Sequence, residues 1–470
     1  MIALNNPVNP LNTVNQTSAF ELLRAEEETA WLSQCFVPPR NLAHLCSNRS
    51  IIVFGAIGSG KTALYQQLRQ QCYHPDGTPK RLFVDWQLNP ADADAIPDIR
   101  DSKQQLMHIF DLCAAALATH IAHYPQRFIH APSFAKDRII WFIHTHLLSS
   151  APEARLGELF YSQVPGIAVL KDLLAQSPKP ILDADASPEL VRQQLLLATQ
   201  DLKLEGVWVM ADDIERWAHI DESELLEKLS ALLNTLPLFE RSEFAFKLFT
   251  PRRLESKLSA TAGIQRRRVD AFRLSWTQAE LQAMVEYRLR FVLQQPSFTL
   301  SDLCDSKKLL PWLARVGEHV PREWLDQTHP LLRYFLDNNL KTPIDEKTWF
   351  KLRREHPPRL TIDEAQHTIW IGGRQLPISH IPETTFSLLR YLHERPGQYV
   401  PKDELYYIAY TGGYRIPNVQ DDDYYTVKQQ YEATIDTAIW RLRQEIEPDP
   451  KKHTLILNKR GRGYSLTTRW

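Results

Sequence analysis

The octet Gly55-Ala56-Ile57-Gly58-Ser59-Gly60-Lys61-Thr62 constrains this chain more than any other stretch. It directly follows the apolar run Ile51-Ile52-Val53-Phe54 and directly precedes the helix-forming Ala63-Leu64-Tyr65-Gln66-Gln67-Leu68. A strand, a glycine-rich turn and a helix in that order aim successive backbone N–H groups and the positive end of a helix dipole at one point, which makes a cradle for phosphate. In such a cradle Gly55, Gly58, Ser59 and Gly60 supply the main chain. The Lys61 ammonium reaches the β- and γ-phosphates, and the Thr62 hydroxyl offers an oxygen to Mg2+. The expected ligand is ATP or GTP with Mg2+. A second apolar strand, Leu82-Phe83-Val84-Asp85-Trp86, follows the turn Pro75-Asp76-Gly77, so the chain opens as a parallel α/β sheet.

At 470 residues there is room for about two to four domains, each with its own core. Lys+Arg 55 against Asp+Glu 56 leaves almost no net charge, so any surface for nucleic acid must be local. The opening Met1-Ile2-Ala3-Leu4-Asn5-Asn6-Pro7 lacks a basic stretch leading into an apolar core, and no run approaches the roughly 18 apolar residues of a membrane span. A cytoplasmic protein with no membrane partner is expected. Cys35, Cys46, Cys72, Cys113 and Cys304 are odd in number and scattered, which argues for buried thiols over disulfides or a zinc site.

Residues 102–202 read as mostly helical, with an insertion around 120–185. The next apolar strand, Val207-Trp208-Val209-Met210-Ala211, ends in Asp212-Asp213-Ile214-Glu215. An acid at a strand end near a phosphate loop completes the oxygen sphere of Mg2+, a role that suits Asp212. Asp213 would orient or deprotonate an attacking water, with Glu215 as the weaker candidate. Such a pair also caps helices. The strand Phe244-Ala245-Phe246-Lys247-Leu248-Phe249 runs into Thr250-Pro251-Arg252-Arg253. Arg252 could hold a γ-phosphate bidentately or simply occupy a surface loop.

Taken together, the Gly55–Thr62 loop, the strand ending Ala211-Asp212-Asp213 and the segment Leu248-Phe249-Thr250-Pro251-Arg252 resemble the STAND branch of the AAA+ superfamily, the NACHT and NB-ARC ATPases, over about residues 20–340. The resemblance implies a slow ATPase acting as a switch, with Arg252 as its sensor arginine; Pro251 departs from the usual second Thr. The segment Val316-Gly317-Glu318-His319-Val320-Pro321-Arg322 is similar to the Gly…Pro segment of the family's lid, which would make Arg322 a second sensor or an ordinary helix-start arginine. Arg266-Arg267-Arg268 could reach a neighbouring subunit or form a solvated loop. Self-association in the nucleotide-bound state, as a homo-oligomer, is an implication of the resemblance alone. The expected organisation is a helical segment over 1–48, an NTPase core over 49–274, a helical lid over 275–345, a linker over 346–358 and a final domain over 359–470.

That final domain begins with short strand-like pieces at 359–362, 367–371 and 375–378, followed by helical stretches. In the last of these, Ile435, Ile439, Leu442 and Ile446 share one face, leaving Thr437, Trp440, Arg441 and Gln444 on the other, a form that can lie in a major groove. Two short strands around Lys459-Arg460-Gly461-Arg462-Gly463-Tyr464 follow. These residues resemble the OmpR/PhoB-type winged helix over about 110 residues, an α+β fold that binds double-stranded DNA. The resemblance implies that Arg441 reads bases and that Arg460 and Arg462 reach the minor groove or phosphates from the wing.

Three features depart from the pattern: residues 354–470 hold 16 Lys+Arg against 15 Asp+Glu, Trp440 occupies a position that is often polar, and Asp421-Asp422-Asp423 precede the recognition helix. The leading expectation is a nucleotide-dependent switch coupled to DNA binding, in transcription or defence. An alternative gives the winged helix a protein partner or an intramolecular clamping role. A DNA-remodelling motor is disfavoured because Asp213 stands where such motors carry Glu.

Overall fold

The computed structural model describes residues 32–86, 102–147, 163–183, 185–212, 222–364, 367–413 and 424–468, with short pieces at 156–157, 159, 214 and 415–416. They fall into two units, one running from 38 to 275 and the other from 276 to 470 with minor earlier segments.

The first unit is built on β1 (Ser50–Gly55), which is buried at every residue and followed by α1 (Lys61–Gln70). β2 (Leu82–Asp85), β3 (Val207–Ala211), β4 (Phe244–Pro251) and β5 (Val269–Arg273) complete a five-stranded sheet in the order β2-β3-β4-β1-β5. Every pairing in it is parallel. Near-continuous apolar runs suit this arrangement, because a parallel sheet is covered on both faces. The edge strand β5 alternates in exposure, and so carries no such run.

The longer helices described between β2 and β3 are α2 (Ser102–His123), α3 (Ser133–Leu147), α4 (Ile167–Ala175) and α5 (Pro188–Asp201), with the short helix Pro125–Ile129 between α2 and α3. Ser187 caps α5 through the Leu190 amide, with Pro188 in the first turn. The stretch expected to be an insertion does not stand apart: Ile139, Phe142, Leu170 and Leu173 are fully buried in the same core as Ile52, Phe54 and Val84. One expectation is corrected here. Leu106–His123 is long and apolar enough to cross a membrane, with mean hydropathy 1.3 over 18 residues. Its Ile109, Cys113, Leu117 and Ile121, spaced by one helical turn, are instead buried in the core of this unit. Cys46 is only partly buried, unlike the other thiols. α6 (Glu222–Asn234) lies between β3 and β4.

Lys247, in the middle of β4, is 1% exposed. Its ammonium donates to the carbonyls of Leu45 (2.8 Å), Ser47 (2.7 Å) and Arg49 (2.9 Å) and lies 4.7 Å from the centre of the Trp208 ring. Burial pulls its pKa down to about 7, and the three carbonyl acceptors hold the amine where it ties the segment entering β1 to the sheet.

In the second unit α7 (Gln278–Leu293) opens on a capping box formed by Thr277 and Glu280. α8 (Leu309–Gly317), α9 (Pro321–Asp337) and α10 (Glu346–Glu355) follow. The stretch read as a linker from 346 is therefore helical to 355, capped by Asp345 and anchored by the buried Trp349. Next comes an antiparallel meander of β6 (Leu360–Asp363), β7 (Thr368–Ile371) and β8 (Arg374–Pro377). It is followed by α11 (Glu383–His393), a helical turn over 402–410, α12 (Tyr424–Ile446) and the hairpin of β9 (Ile456–Lys459) and β10 (Gly463–Leu466). Leu388, Leu392, Ile435, Ile439, Leu442 and Leu455 form its core.

His120 and His146 are buried in the first unit, and burial pulls each from its usual value down to about 4. Asp111 stands 3.8 Å from Nδ1 of His146, too far for a hydrogen bond, so desolvation decides. The unfolded chain binds these protons below pH 6.5 while the folded chain resists until about 4, so stability falls as pH drops through that window. We expect losses of up to about 3 kcal/mol per histidine by urea unfolding between pH 6.5 and 4. His146→Leu should flatten the slope; an unchanged slope would remove the assignment.

Candidate functional site

The segment joining β1 to α1 takes the conformation that its glycines allow. Gly58 has φ 77° and Gly60 φ 90°, in the left-handed region that favours glycine. A Cβ on Gly55 would lie 2.4 Å from Ser59 Oγ and 2.9 Å from Lys61 Cγ, so only glycine leaves the loop room to close over itself. Lys61 starts α1 with its side chain buried, and Nζ donates to the carbonyls of Gly55 and Ala56, each at 3.2 Å. Thr62 is half-buried beside it. The first turn of α1 carries no acidic residue, so nothing there opposes an anion at the helix end.

Sheet order gathers the remaining candidates. β1 lies between β4 and β5, and Gly55 is in register with Pro251. Arg252, exposed, therefore leaves the end of β4 beside the strand that starts the loop, as the first residue of the short turn Arg252–Leu254. Asp212 directly follows β3 on the far side of β4. The carboxyl ends of parallel strands at a point where the strand order reverses are where α/β sheets hold ligands. Asp213 and Glu215 lie outside the described residues. Arg322 belongs to the second unit, exposed in the first turn of α9. Arg266, Arg267 and Arg268 are exposed in the turn before β5, where Arg267 has φ 54°.

Sequence reasoning overlooked one pair near this edge. The Tyr65 hydroxyl, one helical turn after Lys61, donates to Asp85 Oδ1 at 2.6 Å. Its ring meets Phe83 and Phe249 edge-on, joining α1 to β2 and β4. Burial, then the Asp85 carboxylate, pushes the phenol well above its ordinary value. A strand ending in Asp85 was visible in the sequence; its pairing with Tyr65 was not.

In the winged helix the amphipathic reading of α12 is seen directly. Ile435, Ile439, Leu442 and Ile446 are fully buried, whereas Thr437, Arg441 and Gln444 are exposed and Trp440 is 60% exposed. Thr437 Oγ1 donates to Ala433 O at 2.8 Å, keeping its oxygen available as an acceptor. Not every basic residue of the motif faces outward. Arg443 turns in, donating to Ile456 O at 2.7 Å beneath the Tyr464 ring. Asp436 accepts from the Tyr464 hydroxyl at 2.6 Å and pairs with Lys402 at 2.7 Å.

Glu447, 2% exposed, accepts from the amides of Thr454, Leu455 and Ile456 and from the Thr454 hydroxyl, at 2.8–3.1 Å. It thereby fixes the start of β9 to the end of α12. Arg460 and Arg462 are exposed on the turn between β9 and β10. Gly463 must be glycine for a steric reason: its φ is 96°, and a Cβ there would lie 1.9 Å from Val400 O. Asp421, Asp422 and Asp423 lie outside the described residues.

Comparison with curated proteins gives no match to the chain. Residues 379–466 match the family described as "Transcriptional regulatory protein, C terminal". That stretch holds α11, α12 and the β9–β10 hairpin with their shared core, and the carboxyl-terminal domain is accordingly a winged helix of the OmpR/PhoB type.

Proposed function

We propose that this chain is a cytoplasmic, nucleotide-responsive regulator that binds duplex DNA through its winged helix. The observation that carries the DNA part is the sorting of polar residues on α12 and the wing. Arg443, Asp436 and Glu447 are engaged inside the domain, while Thr437, Trp440, Arg441 and Gln444 share an exposed helical face and Arg460 and Arg462 stand on the wing. A helix of this width fits the major groove, where Arg441 would read guanine O6 and N7.

The nucleotide part is supported by the loop. Its positive-φ glycines, the absence of a Cβ at Gly55, and a helix start without acidic residues suit a triphosphate. Lys61 would exchange its two carbonyl partners for phosphate oxygens, a charge-assisted interaction stronger than either. Thr62 and Asp212 would be the oxygen donors for Mg2+, and Arg252 would sense the γ-phosphate. Asp213 or Glu215 would orient water. Bound ATP or GTP would supply the γ-phosphate whose presence or loss distinguishes two states of the protein. Arg322 on the lid and self-association belong to the same STAND-like reading.

A protein partner for the winged helix is the second reading, favoured by the exposed Trp440 and by the balance of 16 basic against 15 acidic residues over 354–470. Titration of labelled duplex at several salt concentrations separates the two. Specific DNA binding should weaken steeply with salt, and Arg441→Ala should cost about 1–3 kcal/mol and relax base preference at one position. Absence of duplex binding at low salt would hand the helix to a protein. For the loop, calorimetric titration of ATP or GTP with Mg2+ should show uptake that Lys61→Ala abolishes while the melting profile stays intact. Equal uptake by both would remove the nucleotide site.

A further inference from the structure

The exposed face of α12 is only one of its surfaces. Its carboxyl end, together with the β7–β8 turn, is held by the helices that precede the winged helix. Gly372 and Gly373 form that turn, and the Gly373 amide donates to Val316 O at 2.8 Å. A Cβ on Gly373 would lie 2.3 Å from Gly317 O, and one on Gly372 2.5 Å from Val316 O. Main chain thus rests on main chain at the end of α8, in the segment that leads to Arg322.

The last carbonyls of a helix have no partner within it and favour positive charge. Around the end of α12, the guanidinium of Arg374 donates to Glu445 O, and Arg315, on α8, donates to Pro448 O at 2.6 Å. Arg353, on α10 and 7% exposed, donates to Lys452 O at 3.4 Å while lying 4.1 Å from the centre of the Trp312 ring. The Lys452 ammonium in return lies 3.4 Å from the Phe350 ring centre. Between α10 and β6 the chain passes through Pro357 and Pro358, both buried, so the junction has little freedom. Thr437, Trp440, Arg441 and Gln444 take no part in these contacts.

We propose that α8, α9, α10 and the winged helix form one rigid body, seamed by the Gly372-Gly373 turn and by Arg315 and Arg353, so that the DNA-reading helix travels with the lid helix that carries Arg322. Separating them would strand buried carbonyls and a buried guanidinium. The docking stands on the contacts alone. Its use in signalling rests on the proposed function, because only a nucleotide-dependent movement of the lid would make the coupling a switch. Within this unit the lid grips α12 by its end and leaves its reading face open, a geometry suited to presenting the helix and not to masking it.

Hydrogen exchange of the full-length chain tests this. Gly373 has no left-handed φ, so Gly373→Ala suits the turn itself and collides with the Gly317 carbonyl (2.3 Å to O, 2.8 Å to C) and with Val320 Cγ2 (3.0 Å), across the seam. In that variant, and in Arg353→Met, amide exchange in peptides spanning 370–376 and 447–456 should accelerate about tenfold or more, while peptides from α11 stay protected. Duplex affinity without nucleotide should change less than about threefold, since the reading face is untouched. Exchange over 370–376 and 447–456 that is identical in wild type and both variants, or as fast in wild type as in an exposed loop, overturns the rigid body. If duplex affinity of the wild type ignores nucleotide altogether, the proposed switch falls, whereas the exchange result still decides the docking.

Discussion

A parallel strand buried on both faces and paired along both edges has no freedom to slide, and β1 is such a strand. All of its residues are buried, with β4 on one side and β5 on the other. A one-residue slip would exchange its two buried faces and break its register with β4 and β5 at once. Because β1 cannot move, Gly55 is held beside Pro251 and the loop after it starts from a fixed point. Lys247 makes the same constraint stronger by gathering three carbonyls from the segment that leads into β1. The glycine loop, the start of α1 and Arg252 all inherit their positions from this one strand.

The winged helix solves a related problem with polar ties where the first unit uses burial. Three backbone amides at the start of β9 would be left without partners if the Glu447 carboxylate were absent. Asp436 joins α12 to β10 through Tyr464 and to the preceding turn through Lys402. These internal bonds consume part of the motif's charge. Arg441, Arg460 and Arg462 stay outward, while Glu447 is buried and Arg443 is turned in.

Local pattern revealed much of this and missed some of it for identifiable reasons. β1, β3 and β4 were legible because buried parallel strands are continuous apolar runs. β5 was not, since an edge strand reading Val269-Asp270-Ala271-Phe272-Arg273 lacks one. Ile435, Ile439, Leu442 and Ile446 announced the buried face of α12 through helical spacing, which also placed Arg441 outside. That the helices after β2 share the core of the sheet was not legible, because periodicity tells that a face is apolar and not what it packs against. For the same reason the helical reading of 102–202 does not say that Leu106–His123, long and apolar enough to cross a membrane, packs into this core. The segment 346–358 reads as a linker, although Trp349 and Arg353 anchor a helix over Glu346–Glu355 within it.

By itself the amino-acid sequence determined the conformation of the glycine-rich turn between β1 and α1 and the identity of the winged helix. Both depend on residues close in the chain whose conformational preferences are strong: glycines that tolerate positive φ at 58, 60 and 463, and apolar side chains at helical spacing from 435 to 446. Tertiary structure decided everything that needs two distant segments to meet. Tyr65 found Asp85, Lys247 found the carbonyls before β1, and the Gly372-Gly373 turn found the end of α8. Such contacts are selected by shape and by the cost of leaving buried polar groups unpaired, and neither quantity exists until the chain has closed on itself.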